Sequence, residues 1–189
     1  GHTELKLNNR TIFVNDDIIA IGENVAPNDL AHQKGGGAGG RGSVYIGNEA
    51  GESVDNSDGG AANNTFIGNT AGKNVTSGER NTFLGSGAGE FVTTGRYNVL
   101  VGHGTKGNTD IDSNVIIGYS TGTYVGANNQ AADNNVILGS GAVSFNGGNV
   151  DNNILIGHNV SRYLGDAQGS NNVHIGYEAA NNVVTASYN

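Results

Sequence analysis

The chain of 189 residues contains 33 glycines, one proline and no cysteine, and its 17 acidic and 9 basic side chains give a formal net charge of −8. A net acidic chain lacks the general basic surface that binds nucleic acid, and a chain without cysteine forms neither disulfides nor thiolate sites. No apolar run approaches the roughly 20 residues of a membrane-spanning helix, so membrane insertion is not expected.

The first 42 residues predict two segments, a β lead-in or cap over residues 1–22 and a glycine-rich loop over residues 23–42. The lead-in alternates apolar and polar residues between turn residues, which is typical of antiparallel strands. A cap is expected because the open end of a strand stack exposes unpaired backbone groups. The loop holds a nominal GxGxxG at residues 37–42, but a strand rather than a helix follows, so a dinucleotide site is not favoured.

Residues 43–189 predict a repeat domain, because one five-residue phrase keeps returning there. The phrase is an asparagine, three mostly apolar residues and a glycine, as in Asn-Thr-Phe-Ile-Gly at residues 64–68. Degenerate copies at residues 18–22 and 43–47 precede it, and the nine terminal glycines are separated by 25, 21, 17, 17, 16, 21, 18 and 19 residues. Such a period indicates a stacked solenoid. The predicted structural repeat residues are Asn64, Gly68, Asn81, Gly85, Asn98, Gly102, Asn114, Gly118, Asn135, Gly139, Asn153, Gly157, Asn172 and Gly176.

Each phrase has the pattern of a short strand with two apolar faces. The first and third of its three central residues point to one face, and the middle residue points to the other. The middle residues are Ala20, Tyr45, Phe66, Phe83, Leu100, Ile116, Ile137, Leu155 and His174. Apolar residues on both faces predict burial on both. One face is therefore expected inside the coil and the other against a partner surface.

A second, weaker strand is predicted after each glycine turn, at residues 74–76, 91–93, 123–125 and 162–164. Two short strands per repeat predict an all-β fold, a parallel β-roll or β-solenoid of about nine coils. The phrase asparagines have two structural explanations, left-handed turn geometry or a ladder of stacked amides. The phrase glycines are expected where the backbone has positive φ or where strands approach closely.

The copies at residues 64–72 and 81–89, with their spacers at 75–80 and 92–97, resemble the YadA-like head repeat of trimeric autotransporter adhesins and related phage tail-fibre proteins. The resemblance covers residues 43–177. It implies a left-handed parallel β-roll and a homotrimer, intertwined or side by side about one axis. The longer and less regular spacings are closer to the tail fibres. On this resemblance the chain is expected to be extracellular, on a phage virion tail or a bacterial cell surface.

Several aromatic residues are candidates for ligand binding. His103 and His158 directly follow phrase glycines, in the register that Tyr119 and Tyr177 also occupy. A stripe of rings beside amides suits the binding of sugars, although the same positions also suit ordinary surface turn residues. Tyr124 and Tyr163 are further candidates.

The acidic residues predict neither a metal site nor catalysis. Asp110, Asp112 and Asp151 lie in loops, and the GGxGxD repeat of calcium-binding solenoids is missing. Glycoside hydrolysis needs two carboxylates roughly 5 to 10 Å apart, and no pair stands out. We therefore expect no enzymatic activity, no metal and no cofactor.

The expected function is attachment of a trimeric fibre to a host or target cell, through a surface glycan or protein receptor. Three copies on one axis bind by avidity without a tight single site. Recognition is expected in the stretches that break the repeat, residues 23–42, 52–63, 123–134 and 144–152. The alternatives are a purely structural fibre spacer, a polysaccharide depolymerase and an ice-binding solenoid.

Overall fold

The computed structural model describes most of the chain, with gaps in the longer connections. The described residues are 3–8, 10–14, 18–27, 42–55, 60–107, 109–122, 132–143, 151–160, 167–180 and 185–187. Their strands are β1 (Thr3–Leu7), β2 (Arg10–Val14), β3 (Ile18–Glu23), β4 (Ser43–Ile46), β5 (Thr65–Ile67), β6 (Thr82–Leu84), β7 (Val99–Val101), β8 (Val115–Ile117), β9 (Val136–Leu138), β10 (Ile154–Ile156), β11 (Ala167–Ser170), β12 (Val173–Ile175) and β13 (Thr185–Ser187).

Eleven strands form one sheet in the order β1-β2-β3-β4-β5-β6-β7-β8-β9-β10-β12, and β11 pairs with β13 in a second sheet. The pairs β1–β2 and β2–β3 are antiparallel, and from β3 onward the pairs of the large sheet are parallel. Equivalent phrase positions lie side by side in every parallel pair. The predicted all-β solenoid is therefore confirmed.

The lead-in is an antiparallel meander that ends in the first degenerate phrase. Phe13 of β2 pairs with Ala20 of β3, which in turn pairs with Tyr45 of β4. Phe13 is fully buried, so its ring covers the first rung of the solenoid core. Residues 28–41, which include most of the predicted glycine-rich loop, lie outside the described residues.

The middle residue of each phrase points into the solenoid. From Tyr45 to Leu155 these side chains are fully buried, and the rings of Phe66 and Phe83 stack with centroids 4.9 Å apart. The opposite wall comes from the second leg of the repeat, where Val54, Val75 and Val92 are also fully buried. In these three copies the core is therefore a narrow column of one large ring per rung, packed against a valine and an alanine of the second leg.

The second leg is not a strand. Val75 donates a turn hydrogen bond from its N–H to the carbonyl of Gly72, and Val92 donates one to Gly89. These local turns curl the backbone, so residues 74–76 and 91–93 do not extend into the strands that the sequence predicted. The other two predicted second strands, at 123–125 and 162–164, lie outside the described residues.

The solenoid has about five turns, fewer than the nine coils expected. A turn requires both legs to stack on the neighbouring copy. Second-leg hydrogen bonds run from Ala26, which bonds to Ala50, as far as Lys106, which bonds to Thr121. Within the described residues the phrase strands continue beyond this stretch, to β12, so the number of copies exceeds the number of regular turns.

Two backbone features close each turn. The phrase glycines have φ between 126° and 155°, and a Cβ on Gly102 would collide with the carbonyl oxygen of Gly118 in the next copy. Left-handed geometry falls on the residue before each phrase asparagine, for example at Arg80 with φ 58° and Tyr97 with φ 60°. At the last position of the phrase, glycine is therefore required both by the backbone conformation and by the close approach of the next copy.

Candidate functional site

The phrase asparagines form a ladder inside the solenoid. Asn64, Asn81, Asn98, Asn114, Asn135, Asn153 and Asn172 are at most 1% exposed. Each Oδ1 accepts the backbone N–H of the next asparagine at 2.9 to 3.0 Å. The sequence left two explanations open for these asparagines, left-handed turn geometry and a ladder of stacked amides, and the structure shows the ladder. Because these amides are buried and paired, they hold the rungs in register and present nothing to a ligand.

The residues directly after the phrase glycines form a second column, which we call the post-glycine column. Its members are Glu23, Asn48, Asn69, Ser86, His103, Tyr119, Ser140, His158 and Tyr177. Backbone hydrogen bonds fix the register: Ser120 N–H donates to His103 O at 3.0 Å, and Glu178 N–H donates to His158 O at 2.9 Å. The four predicted aromatic candidates that lie in the described residues therefore share one edge of the solenoid.

The four rings form two stacked pairs. The centroids of His103 and Tyr119 are 5.6 Å apart with planes inclined by 18°, and those of His158 and Tyr177 are 5.4 Å apart with planes inclined by 4°. Tyr119 is 61% exposed and Tyr177 is 73% exposed. Rings that are parallel, exposed and in adjacent rungs offer flat faces to a ligand. Tyr124 and Tyr163, the other two candidates, lie outside the described residues.

Two titratable groups near the last rung have shifted pKa values. A side-chain hydrogen bond to the Glu178 carboxylate, together with its charge, raises the pKa of the Tyr177 phenol. Burial lowers the pKa of His174, which occupies the middle position of β12 at the end of the inner column. The first effect keeps the phenol protonated, and the second keeps the imidazole neutral near pH 7.

A row of aspartates is present that sequence reasoning missed. Asp112 Oδ1 accepts the N–H of Arg96 at 2.6 Å, Asp133 Oδ1 accepts that of Asp112 at 2.8 Å, and Asp151 Oδ1 accepts that of Asp133 at 2.9 Å. Burial raises the pKa of Asp133, and the charges of Asp112, Asp151 and Asp110 add to this. The available signal was their position, since each row member lies two residues before a phrase asparagine.

The outer face of the large sheet carries an exposed strip of aliphatic side chains, which we call the apolar strip. None of its members is buried, and Leu84, for example, is 43% exposed. One column of the strip is Leu5, Ile12, Ile21, Ile46, Ile67, Leu84, Val101, Ile117, Leu138, Ile156 and Ile175. The other is Val14, Ile19, Val44, Thr65, Thr82, Val99, Val115, Val136, Ile154 and Val173.

The post-glycine column and the apolar strip are the candidate binding surfaces. Within the described ranges no group of three or more histidine, cysteine or carboxylate side chains is arranged to hold a metal ion. The same ranges contain no helix with the length and apolarity needed to span a membrane.

Comparison with known proteins gives no match to a family model, to a curated protein or to a solved structure.

Proposed function

We propose that the chain is a segment of a homotrimeric surface fibre that attaches a phage virion or a bacterial cell to its target. The observation that carries the proposal is the apolar strip, which has one aliphatic column on all eleven strands of the large sheet and a second column, aliphatic except for two threonines, on ten of them. A face of this kind calls for a partner surface of the same length. A second copy of the same chain supplies one, because the strip runs parallel to the stacking axis.

The size of the strip supports a stable association. Ten strand spacings of about 4.8 Å give a length of about 48 Å, and two side chains give a width of about 10 Å, hence an area of about 500 Å². Patches of this size mark interaction sites on soluble proteins. Three such strips brought together bury on the order of 1,500 Å² in total, about 500 Å² for each of the three pairs of chains. The number three comes from the resemblance to trimeric adhesins and tail fibres.

A trimer of this kind is suited to binding by avidity. Three parallel chains place three post-glycine columns around one axis, each with its exposed ring pairs His103–Tyr119 and His158–Tyr177. Simultaneous contact with a surface that repeats the same glycan or protein receptor raises affinity about 10²- to 10⁴-fold over one site. The proposed partners are therefore other copies of the chain and a cell-surface receptor.

The assembly is tested by light scattering with a matched pair of variants. Leu84 in the strip and Phe91 on the second leg are both 43% exposed. We expect the unmodified chain and Phe91→Lys to have three times the chain mass of 19.2 kDa. Leu84→Lys is expected to shift the mass towards a monomer, because three lysines would meet in an apolar interface. An unmodified chain that is folded and monomeric would contradict the proposal.

The attachment function is tested by comparing the same proteins on an array of cell-surface glycans. We expect the trimer and Phe91→Lys to be retained on particular glycans and the monomeric Leu84→Lys variant to be released at least 100-fold more readily. A trimer that binds no glycan and no intact target cell would indicate a spacer instead.

A further inference from the structure

From His103 to Tyr177 the post-glycine column carries an aromatic ring on every rung but one. Gly141 N–H donates to Tyr119 O at 3.0 Å, and Asn159 N–H donates to Ser140 O at 3.1 Å. These bonds place Ser140 on the rung between Tyr119 and His158. The column therefore reads as two rings, one hydroxymethyl group and two rings.

The missing ring leaves a slot of defined height. Because neighbouring rungs are about 4.8 Å apart, Tyr119 and His158 are separated by about 9.6 Å along the stack. If the Ser140 rung carried a ring, its centroid would be about as far from the rings of Tyr119 and His158 as the centroids are within the two existing pairs, 5.6 Å and 5.4 Å. The two rings within each pair are close to parallel, so each side of the slot ends in one ring of a stacked aromatic pair.

The height favours a saturated ring over a flat one. A flat ring in contact with both walls needs them about 7 to 8 Å apart, since carbon atoms meet at about 3.5 to 4.0 Å. The chair of a pyranose is thicker, because axial C–H groups project from its two faces. A spacing of about 9.6 Å therefore suits a sugar ring with its C–H faces against Tyr119 and His158.

The polar groups around the slot are uncharged. Ser120, Gly141 and Asn159 follow the three rungs of the slot, and the Asn159 carboxamide lies over Gly141. Ser140 and Asn159 provide a hydroxyl and an amide group beside the slot, which match sugar hydroxyls in both donor and acceptor capacity. The residues at positions 119–120, 140–141 and 158–159 include no carboxylate, lysine or arginine. A neutral ligand is therefore favoured over a charged one.

We propose that Tyr119, Ser140 and His158 form a slot that binds one neutral hexopyranose residue of a surface glycan. The ring is held between the two aromatic faces, and its hydroxyls bond to Ser140 and Asn159. This inference rests on the proposed attachment function and assigns the ligand class and the position of its binding site. The pairs on either side, with His103 and Tyr177, stiffen the two walls.

The slot is tested with a variant in which a side chain of the protein itself occupies it. In Ser140→Tyr the missing ring is supplied by the chain itself, so the column becomes continuous and the slot is closed. The matched control is Ser86→Tyr, which adds the same ring in the same column on the rung before His103, outside the slot. Both variants are checked for an unchanged circular dichroism spectrum.

Binding is measured by saturation-transfer NMR with methyl β-D-galactopyranoside, methyl β-D-glucopyranoside and methyl α-D-mannopyranoside. We expect transfer to the axial C–H protons of at least one glycoside with the unmodified chain and with Ser86→Tyr. A loss of at least tenfold is expected with Ser140→Tyr and with Tyr119→Ala. The slot is disproved if none of the glycosides receives transfer, or if Ser140→Tyr binds as well as the control.

The same samples separate this inference from the proposed assembly. A methyl glycoside is monovalent, so its binding does not require avidity, while light scattering reports the mass independently. A trimer that binds no glycoside overturns the slot alone. A monomer that binds in the expected variant pattern supports the slot and overturns the trimer.

Discussion

Asn98 donates two hydrogen bonds to the Oδ1 of Asn81, one from its backbone N–H and one from its Nδ2, both 3.0 Å long. Its Nδ2 also donates to the carbonyl of Ile111 at 2.6 Å. In turn, Asn98 Oδ1 accepts the backbone N–H and the Nδ2 of Asn114 at 3.0 and 3.1 Å. Each buried amide thus serves both neighbours, and a loss at one rung leaves unpaired groups above and below it.

Asn98→Ala is therefore expected to destabilise the solenoid by about 3 kcal/mol, because at least two buried polar groups lose a partner. For a chain of this size that corresponds to a fall in Tm of about 6 to 12 °C. The matched control is Asn69→Ala, whose asparagine is exposed in the post-glycine column and is expected to change Tm by less than about 2 °C. Thermal unfolding followed by circular dichroism makes the comparison. Equal Tm values for the two variants would show that the ladder contributes nothing.

Two glycines of one turn are expected to differ sharply when replaced by alanine. At Gly102 the new Cβ would collide with the carbonyl of Gly118, so Gly102→Ala is expected to cost at least about 3 kcal/mol or to prevent folding. At Gly104, with φ 60°, the nearest atom is the Ser120 hydroxyl at 3.7 Å from the Cβ position, and Gly104→Ala is expected to cost about 1 kcal/mol.

The equivalent position in other copies supports the mild outcome at Gly104. Glu49 and Thr70 occupy it with φ 55° and 54°, so the turn accepts a side chain there. Urea unfolding of the two variants measures the difference. A Gly102→Ala variant as stable as Gly104→Ala would mean that the rungs can separate without loss.

The sequence predicted the strands well, because one repeated phrase combines a period of two with a turn glycine. It did not determine which face lies inside. Phe66 and Thr65 are both compatible with burial, and only the second leg, where Val54 and Val75 are buried, shows that the middle residue is the inner one. That information is non-local, since it depends on how the leg after each glycine curls back across the strand.

The candidate site was predictable in register but not in detail. The shared position after the phrase glycine was enough to group His103 with Tyr119 and His158 with Tyr177, which the structure brings into contact. The role of Ser140 could not be predicted, because serine is a common turn residue. Its position matters only once the residues on the neighbouring rungs are known to be stacked rings. The residues of the predicted recognition loops lie mostly outside the described residues.

Phe83 tests whether the core column depends on ring stacking or on volume. Phe83 is fully buried and its ring lies 4.9 Å from that of Phe66 at an angle of 11°. Phe83→Ala is expected to cost about 4 kcal/mol through the cavity it leaves. Phe83→Leu is expected to cost about 1 kcal/mol, because Leu100 already fills the adjacent rung. Phe91→Ala, at an exposed ring, serves as the control in urea unfolding, and a larger loss for it than for Phe83→Ala would contradict this account.

Asp133 predicts a pH dependence whose sign follows from its environment. Burial and the neighbouring aspartates raise its pKa above the ordinary value of 3.8, so the folded state binds a proton more readily than the unfolded state. Ionised Asp133 therefore lowers stability at neutral pH, and this loss diminishes as the pH falls through the raised pKa and vanishes below about 3.8.

Asp133→Asn keeps the oxygen that accepts the Asp112 N–H at 2.8 Å and is expected to raise Tm at pH 7 but not at pH 3.5. Asp110→Asn, which removes the same charge from an exposed position, is expected to have a smaller effect at both pH values. Melting curves between pH 3.5 and 8 measure the difference, and a gain from Asp133→Asn that grows on acidification would reverse the assigned sign.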